Sequence, residues 1–162
     1  MSMRIVAVAF THPDPQRLVA DVQAEYVRLY GSPDSTPLDT GVFDPPQGAF
    51  FVGYVDGQPV AMGGWRLRSD VRALGATRSA EVKRMYVAPA ARRQGLAGTM
   101  LVHLEGTAAH AGADVMVLET GTEQPEAIAM YERAGYERVE SFGYYAWSPK
   151  SRCYGKRLLR DA

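Results

Sequence analysis

The chain has 162 residues, 46% of them hydrophobic and 22% charged, which is the size and composition of one ordinary globular domain. Lys plus Arg number 18 and Asp plus Glu number 18, so the formal net charge is zero. That balance weighs against a dedicated nucleic-acid or membrane-surface binder, whose affinity comes from excess positive charge.

A single cysteine, Cys153, excludes an internal disulfide framework and any multi-cysteine zinc site. His12, His103 and His110 are scattered without ligand spacing, so no metal is expected. No run approaches the roughly 20 apolar residues of a membrane span. The apolar start is too short for a signal peptide, which predicts a cytoplasmic protein.

In chain order, Ile5 to Phe10 is a continuous apolar run that reads as a buried strand. Asp14 and Pro15 read as the N-cap and first residue of a helix, with Leu18, Val22, Tyr26 and Leu29 at helical spacing and Gly31 as its stop. Residues 31–47 contain Pro33, Pro37, Pro45 and Pro46 and read as a loop with at most a short helical turn. Their length suggests a binding loop. Residues 49–55 and 59–67 read as strands joined by the hairpin signal Asp56-Gly57. Residues 69–80 are polar and loop-like. Glu81 to Val87 is the next strand. Its apolar residues Val82, Met85 and Val87 fit either a β-bulge near 83–85 or burial on both faces.

Gly95 to Ala111 predicts a helix, with Leu96, Met100, Leu101, Leu104 and Ala108 on one face and Gly112 as terminator. Val115 to Leu118 reads as a buried strand, and Pro125 to Ala134 as a helix with Gly135 just past its end. Strands are expected around Val139–Trp147 and Arg152–Leu158. The order β-α-loop-β-β-β-α-β-α-β-β predicts an α/β class, with a mixed sheet carrying helices on its faces in a single domain over 1–162.

The stretch Val82 to Leu101 carries the most chemistry. A strand ends at Pro89, and a turn rich in Arg and Gly leads directly into a helix. The first helical turn offers unpaired N–H groups and the positive end of the dipole. Gly95, Ala97 and Gly98 would let an anion approach the backbone closely. The stretch has neither the P-loop nor the dinucleotide-fold glycine pattern. From the residues alone, a phosphate cradle and tight helix–strand packing with solvated arginines both remain open.

Arg92-x-x-Gly95-x-Ala97 resembles the Q/R-x-x-G-x-G/A acyl-CoA signature of the GNAT superfamily of acyl-CoA-dependent acyltransferases. Met85-Tyr86-Val87-x-Pro89 sits where that family places the preceding strand. Ala127-Ile128-x-Met130-Tyr131-x-x-x-Gly135-Tyr136 resembles the family's A-I-x-L-Y-x-x-x-G-F/Y signature. The resemblance covers roughly residues 81–136 and rests on two ordered motifs. It implies a mostly antiparallel mixed sheet of about seven strands with about four helices, splayed where strand 81–87 leaves strand 115–118.

The resemblance also implies acetyl-CoA as cosubstrate, without a metal. Main-chain groups of Met85, Tyr86 and Val87 would run along the pantetheine arm. Backbone N–H groups of Arg92, Arg93, Gln94, Gly95, Leu96, Ala97 and Gly98 would hold the pyrophosphate, with Thr99 at the edge. The side chain of Arg92, of Arg93 or of both would meet phosphate oxygens. Gln124, seven residues before Tyr131, stands where the family often has a cofactor-contacting Asn and keeps the amide with one more methylene.

By the same carry-over Tyr131 is the general acid for the departing thiolate, since a phenol of unperturbed pKa about 10 is protonated at neutral pH. A Val87 N–H would stabilise the oxyanion. Glu81 is the first choice of base and Glu119 its competitor. The implied activity is an N-acetyltransferase acting on a primary amine of a small molecule or peptide by direct attack in a ternary complex. A homodimer through the C-terminal strands is implied by analogy. The alternative is a non-catalytic acyl-CoA-binding or regulatory module on the same fold. A third reading is a basic-edge interaction protein without cofactor.

Phe50, Phe51, Trp65, Tyr144, Tyr145 and Trp147 are candidates for either the core or an acceptor pocket. Cys153 reads as a small buried hydrophobe before an acyl carrier. His103 and His110 read as surface residues. Lys150, Arg152, Lys156, Arg157 and Arg160 read as a solvated edge strand before a nucleic-acid patch.

Overall fold

Glycines and prolines punctuate the chain into strands β1 (Arg4–Ala7), β2 (Gly48–Val55), β3 (Gln58–Arg68), β4 (Ser79–Val87), β5 (Val115–Gly121), β6 (Glu137–Arg138) and β7 (Ser151–Arg157). Helix α1 (Pro13–Tyr30) follows β1, α2 (Leu96–His110) precedes β5, and α3 (Pro125–Arg133) follows it. The structure, a computed structural model, describes residues 2–159. Arg160 of the basic run lies outside the described residues.

The strands form a seven-stranded sheet in the order β1-β2-β3-β4-β5-β7-β6. Asp56 and Gly57 both take positive φ, 50° and 76°, the twist that a two-residue hairpin between β2 and β3 requires. β4 and β5 run parallel, which needs a crossover, and α2 supplies it. Their ladder covers only Ser79↔Val115, Ala80↔Met116 and Glu81↔Val117, although β4 runs on to Val87 and β5 to Gly121. This is the interrupted pairing expected of strands 81–87 and 115–118.

The described residues divide into two compact units, 2–66 with 83–104 and 67–82 with 105–159. In the first, Phe10, Leu18, Val22, Phe43, Phe50, Val52, Met62 and Tyr86 form an apolar core. The Phe10, Phe43 and Phe50 rings meet pairwise at 4.9–5.0 Å, and each such pair adds roughly 0.5–1.5 kcal/mol beyond its area. In the second, Val71, Ala73, Ala76, Val115 and Val117 pack together, joined by Leu74, Val139 and Phe142.

Several expectations are corrected. β1 is an edge strand with exposed and half-buried residues, and of the run Ile5–Phe10 only Phe10 is buried, at 7%. A continuous apolar run does not reveal whether a second neighbour covers it. α1 starts earlier than Asp14: His12 is the N-cap, accepting from the Asp14 N–H at Nδ1, and Pro13 is the first helical residue. Gly31 ends the helix at φ 81° as expected. In the loop 31–47, Thr40–Phe43 forms one 3-10 turn, and the α-helices number three among the described residues.

Residues 139–150 are not a strand. The backbone turns repeatedly, with Ala146 N–H donating to Gly143, Ser148 to Tyr145 and Ser151 to Ser148. Apolar content there mimicked a strand, yet Val139 and Phe142 pack inward while Tyr144 and Trp147 are exposed. β7 is not an edge either. It pairs along all seven residues with β5 and meets the two-residue β6 on its other side.

Candidate active site

In the unit holding 83–104, the second half of β4 carries an irregularity. Arg84 takes φ 57°, a left-handed value that costs a non-glycine residue about 1 kcal/mol. It falls where the apolar spacing of the sequence breaks. The Arg84 side chain, 7% exposed, donates from Nη1 to Asp34 Oδ2 at 2.7 Å. The Lys83 ammonium stands 3.9 Å from the same oxygen. Asp34 Oδ1 accepts from the Thr36 N–H and hydroxyl. Gln23 on α1 brackets the Asp34 backbone, donating to its carbonyl and accepting from its N–H.

Burial alone would raise the Asp34 carboxyl. The Lys83 and Arg84 charges and the Thr36 hydrogen bonds more than offset it and hold the group below its ordinary value. The loop 31–47 is therefore pinned at Asp34 to the irregular part of β4.

From Val87 the chain passes through a 3-10 turn at Pro89–Ala91 into α2. Arg93 at φ 66° and Gly95 at φ 76° alternate with residues that are not left-handed. Alternating right- and left-handed residues would line up successive N–H groups as an anion-binding concavity. Arg92, however, is extended, at φ −72° and ψ 163°, so the two left-handed residues mark sharp bends of the chain just before α2. A Cβ at Gly95 or Gly98 would meet nothing within 4 Å. Gly95 is explained by its φ. Gly98 is helical, costs about 1 kcal/mol against Ala, and answers no internal packing demand. Gly106 further along α2 is equally open, so space alone marks no site; Gly98 stands apart by its place in the first turn.

The two arginines of the turn differ. Arg92 folds back onto β4, its Nε donating to the Val87 carbonyl at 2.9 Å and its Nη2 to Glu25 on α1 at 2.8 Å. Its guanidinium lies 5.4 Å from the Tyr86 ring centre. Arg92 thus secures the end of β4 and leaves the Val87 carbonyl one lone pair. Arg93, Gln94 and Thr99 are exposed, and the Thr99 hydroxyl donates to the Gly95 carbonyl.

The other unit holds the carboxylates and the motif tyrosine. Glu81 is 2% exposed, and its Oε1 accepts from Arg68 Nη1 at 2.7 Å. Arg68 also grips Asp70 with Nε and Nη2, at 2.8 and 2.9 Å. Glu119 on β5 is half-buried and accepts from the Ser151 hydroxyl at 2.6 Å. A Cβ at Gly143 would overlap the Glu119 carboxylate, so a larger residue there would have to displace the end of that side chain. Cys153 lies opposite Glu119 in the β5–β7 register. Burial first, then the Glu119 charge, push its thiol up, which keeps it protonated.

Gln124 is the N-cap residue of α3 and makes no side-chain cap. Tyr131, 7% exposed, lies near the end of α3 with its ring centre 5.8 Å from that of Tyr136. Gly135 at φ 96° turns the chain so that the Tyr136 N–H returns to the Tyr131 carbonyl at 3.0 Å. That turn is why the motif ends in glycine and an aromatic: Tyr136 is buried and donates to Glu105 at 2.8 Å.

Sequence reasoning missed Arg68, Asp34, Ser151 and Gly143. Arg68 and Glu81 are thirteen residues apart and Asp34 and Arg84 fifty, so no local spacing signals either pairing. The aromatic candidates separate. Phe50, Phe51 and Trp65 are buried, with Phe50 in the core and Phe51 against His103 at 4.6 Å. In the turn before β7 the Tyr145 ring meets Tyr144 edge-on and Trp147 at a tilt. His103 is not a surface residue; it is half-buried, and burial lowers its pKa. Among the described residues, no group of three or more His, Cys, Asp or Glu could hold a metal ion, and no helix is long and apolar enough to cross a membrane.

A sequence profile of the acetyltransferase (GNAT) family matches residues 16–136. An IAA acetyltransferase of Azospirillum brasilense is 39% identical over 71 residues, 44% of this chain and 46% of that protein. The uncharacterized N-acetyltransferase YjgM of Escherichia coli K12 is 30% identical over 137 residues, 80% of this chain and 78% of its own. The matched stretch thus spans under half of the first relative and over three quarters of the second. Among solved structures, a Klebsiella pneumoniae protein assigned as an acyl-CoA N-acyltransferase superposes with a TM-score of 0.79 at 28% identity, covering 97% of this chain and 98% of that one. PaiA N-acetyltransferase of Thermoplasma acidophilum, solved with coenzyme A, has a TM-score of 0.71 at 12% identity over 98% of this chain and 100% of its own, a likeness of fold alone. The chain belongs to the GNAT acetyltransferase family, and the class this defines is an acyltransferase that uses acyl-CoA.

Proposed function

We propose that the chain transfers the acetyl group of acetyl-CoA to a primary amine of a small molecule or peptide, by direct attack in a ternary complex. One observation carries the reading. Left-handed Arg93 and Gly95 bend the chain sharply just before α2, and the first helical turn, whose N–H groups lack intrahelical partners, carries an otherwise unneeded glycine at Gly98. That arrangement suits a pyrophosphate, held by N–H groups from Arg92 to Gly98 with Thr99 at the edge. Main-chain groups of Met85, Tyr86 and Val87 would take the pantetheine arm, and Gln124 would contribute its amide. A cytoplasmic setting is part of the same reading.

Bound acetyl-CoA supplies an activated thioester. Glu81, directly or through water, takes a proton from the acceptor ammonium and frees its lone pair. As the carbon–nitrogen bond forms, the Val87 N–H stabilises the oxyanion. As the carbon–sulfur bond breaks, Tyr131 gives its phenolic proton to the thiolate. The base passes its proton to solvent. The attacking nitrogen sheds its second proton as the intermediate collapses, and an equivalent proton from solvent restores Tyr131, so one proton is released per turnover. Glu119, whose Oε2 accepts from the Ser151 hydroxyl, is the competing base.

The test is thiol release from acetyl-CoA against amino acids, polyamines, aminoglycosides, peptide N-termini and lysine peptides. Release with at least one amine, lowered tenfold or more by Tyr131→Phe at unchanged acetyl-CoA affinity, supports the reading. Stabilisation by acetyl-CoA with no release from any amine would leave a binding module.

A further inference from the structure

We propose that Lys83 and Arg84 form a carboxylate-binding subsite for the acceptor, so that the amine acetylated here belongs to an amino acid or a related carboxylate-bearing compound. The proposal rests on the acetyl-transfer reading above and names its substrate class.

Two cations, Lys83 and Arg84, face one anion, Asp34, and all three side chains are 15% exposed or less. The Asp34 carboxylate brings one negative charge and is already engaged on both oxygens. Oδ1 takes two hydrogen bonds from Thr36, and Oδ2 takes Arg84 at 2.7 Å with Lys83 held off at 3.9 Å. Tyr26, the neighbouring phenol, adds no negative charge, because burial and then Asp34 push it up to about 12. The cluster therefore carries one positive charge in excess. Uncompensated buried charge is expensive, and here it has a direction.

Arg84 Nε is buried and has no hydrogen-bond partner among the described residues, on a side chain only 7% exposed. Guanidinium groups match carboxylates through paired N–H donors, and an ammonium beside them adds charge. A carboxylate accepting from Arg84 Nε and from Lys83 would satisfy the orphan donor and neutralise the surplus together. The left-handed φ at Arg84 re-aims this part of β4. Met85 to Val87, proposed to run along the acyl-bearing arm, begin one residue further on, about 3.3 Å per residue along the strand. The loop segment supplying Asp34 is fixed by Gln23, so the subsite is built before ligand arrives.

The experiment pairs each of a panel of α-amino acids with its carboxamide and its decarboxylated amine, and reads both thiol release and ligand-induced stabilisation of the whole chain. N-acetyl amino acids and their amides serve as non-reacting probes for the second readout. The expected result is at least one acid favoured about tenfold or more over its amide. Arg84→Gln should remove that preference by weakening the acid alone, and Lys83→Met should reduce it without touching the Asp34–Arg84 pair. Stabilisation by the acids without any thiol release would keep the subsite and sink the transferase reading. Equal response to acids and amides in the wild-type chain overturns the subsite. Coenzyme A and 3′-dephospho-coenzyme A form the control arm. If Arg84→Gln weakens the former selectively, the anion is the cosubstrate's phosphate, and the acceptor proposal fails.

Discussion

Arg68 Nη1 donates to Glu81 Oε1 at 2.7 Å, while the carboxylate is only 2% exposed and the guanidinium side chain 18%. Asp70 holds the other edge of Arg68, so the guanidinium bridges a buried and an exposed carboxylate. This raises the Arg68 pKa: the Asp70 hydrogen bond outweighs burial, and Glu81 adds to it. Removing one partner of a buried pair strands the other charge, at about 3–5 kcal/mol. Arg68→Met should cost stability of that order in denaturant unfolding. Adding Glu81→Gln to it should recover a large part. A loss below 1 kcal/mol for the single variant would mean that the pair is not buried in solution.

The two candidate bases make opposite kinetic predictions. With Glu81 as base, Glu81→Gln lowers kcat/KM about 100-fold or more. Glu119→Gln then changes kcat/KM less than threefold. The reverse pattern transfers the role to Glu119, whose carboxylate is half-buried and closed in by Gly143 and Ser151.

Asp34 links loop and strand in a pH-dependent way. Its folded-state pKa lies below the ordinary 3.8, so its stabilising contribution is complete above the unfolded value and is lost as pH falls through the depressed folded one. Asp34→Asn should therefore destabilise the chain at neutral pH, because it leaves the Lys83 and Arg84 charges without their anion. The gap between wild type and variant should close below about pH 4. A gap that persists unchanged to pH 3 would show that the variant acts through packing and not through charge.

The β4–turn–α2 stretch and the end of α3 were legible because each is local: strand, proline, glycine and helix follow one another within about twenty residues, and every cue acts on its neighbours. What was not legible depends on remote partners. The apolar run Ile5–Phe10 looks buried until β2 proves to be its one neighbour in the strand order. Val139–Trp147 has strand-like residues, but Phe142 and Val139 are drawn into a cluster built by Val71, Ala73 and Val117. The Val87 carbonyl and Glu25, which hold the Arg92 side chain, are likewise not signalled by its place in the turn. Glu81 was legible as a carboxylate on β4, but its partner Arg68, thirteen residues away, emerges only in the folded chain.

Gly98 and Gly106 provide the cleanest separation of stability from binding. Both lie within α2, and a Cβ at either would meet nothing within 4 Å. Replacing either with alanine reduces the entropy of the unfolded chain and should stabilise the fold by about 0.5–1 kcal/mol. Only Gly98 lies in the first turn beside the left-handed Gly95, where backbone N–H groups are free of intrahelical partners. A methyl there would hold a phosphate off those donors. Gly98→Ala should therefore raise the melting temperature of the free chain yet reduce the extra stabilisation given by acetyl-CoA. Gly106→Ala should raise the first and leave the second unchanged. Equal acetyl-CoA stabilisation of both variants would place the pyrophosphate somewhere other than the start of α2.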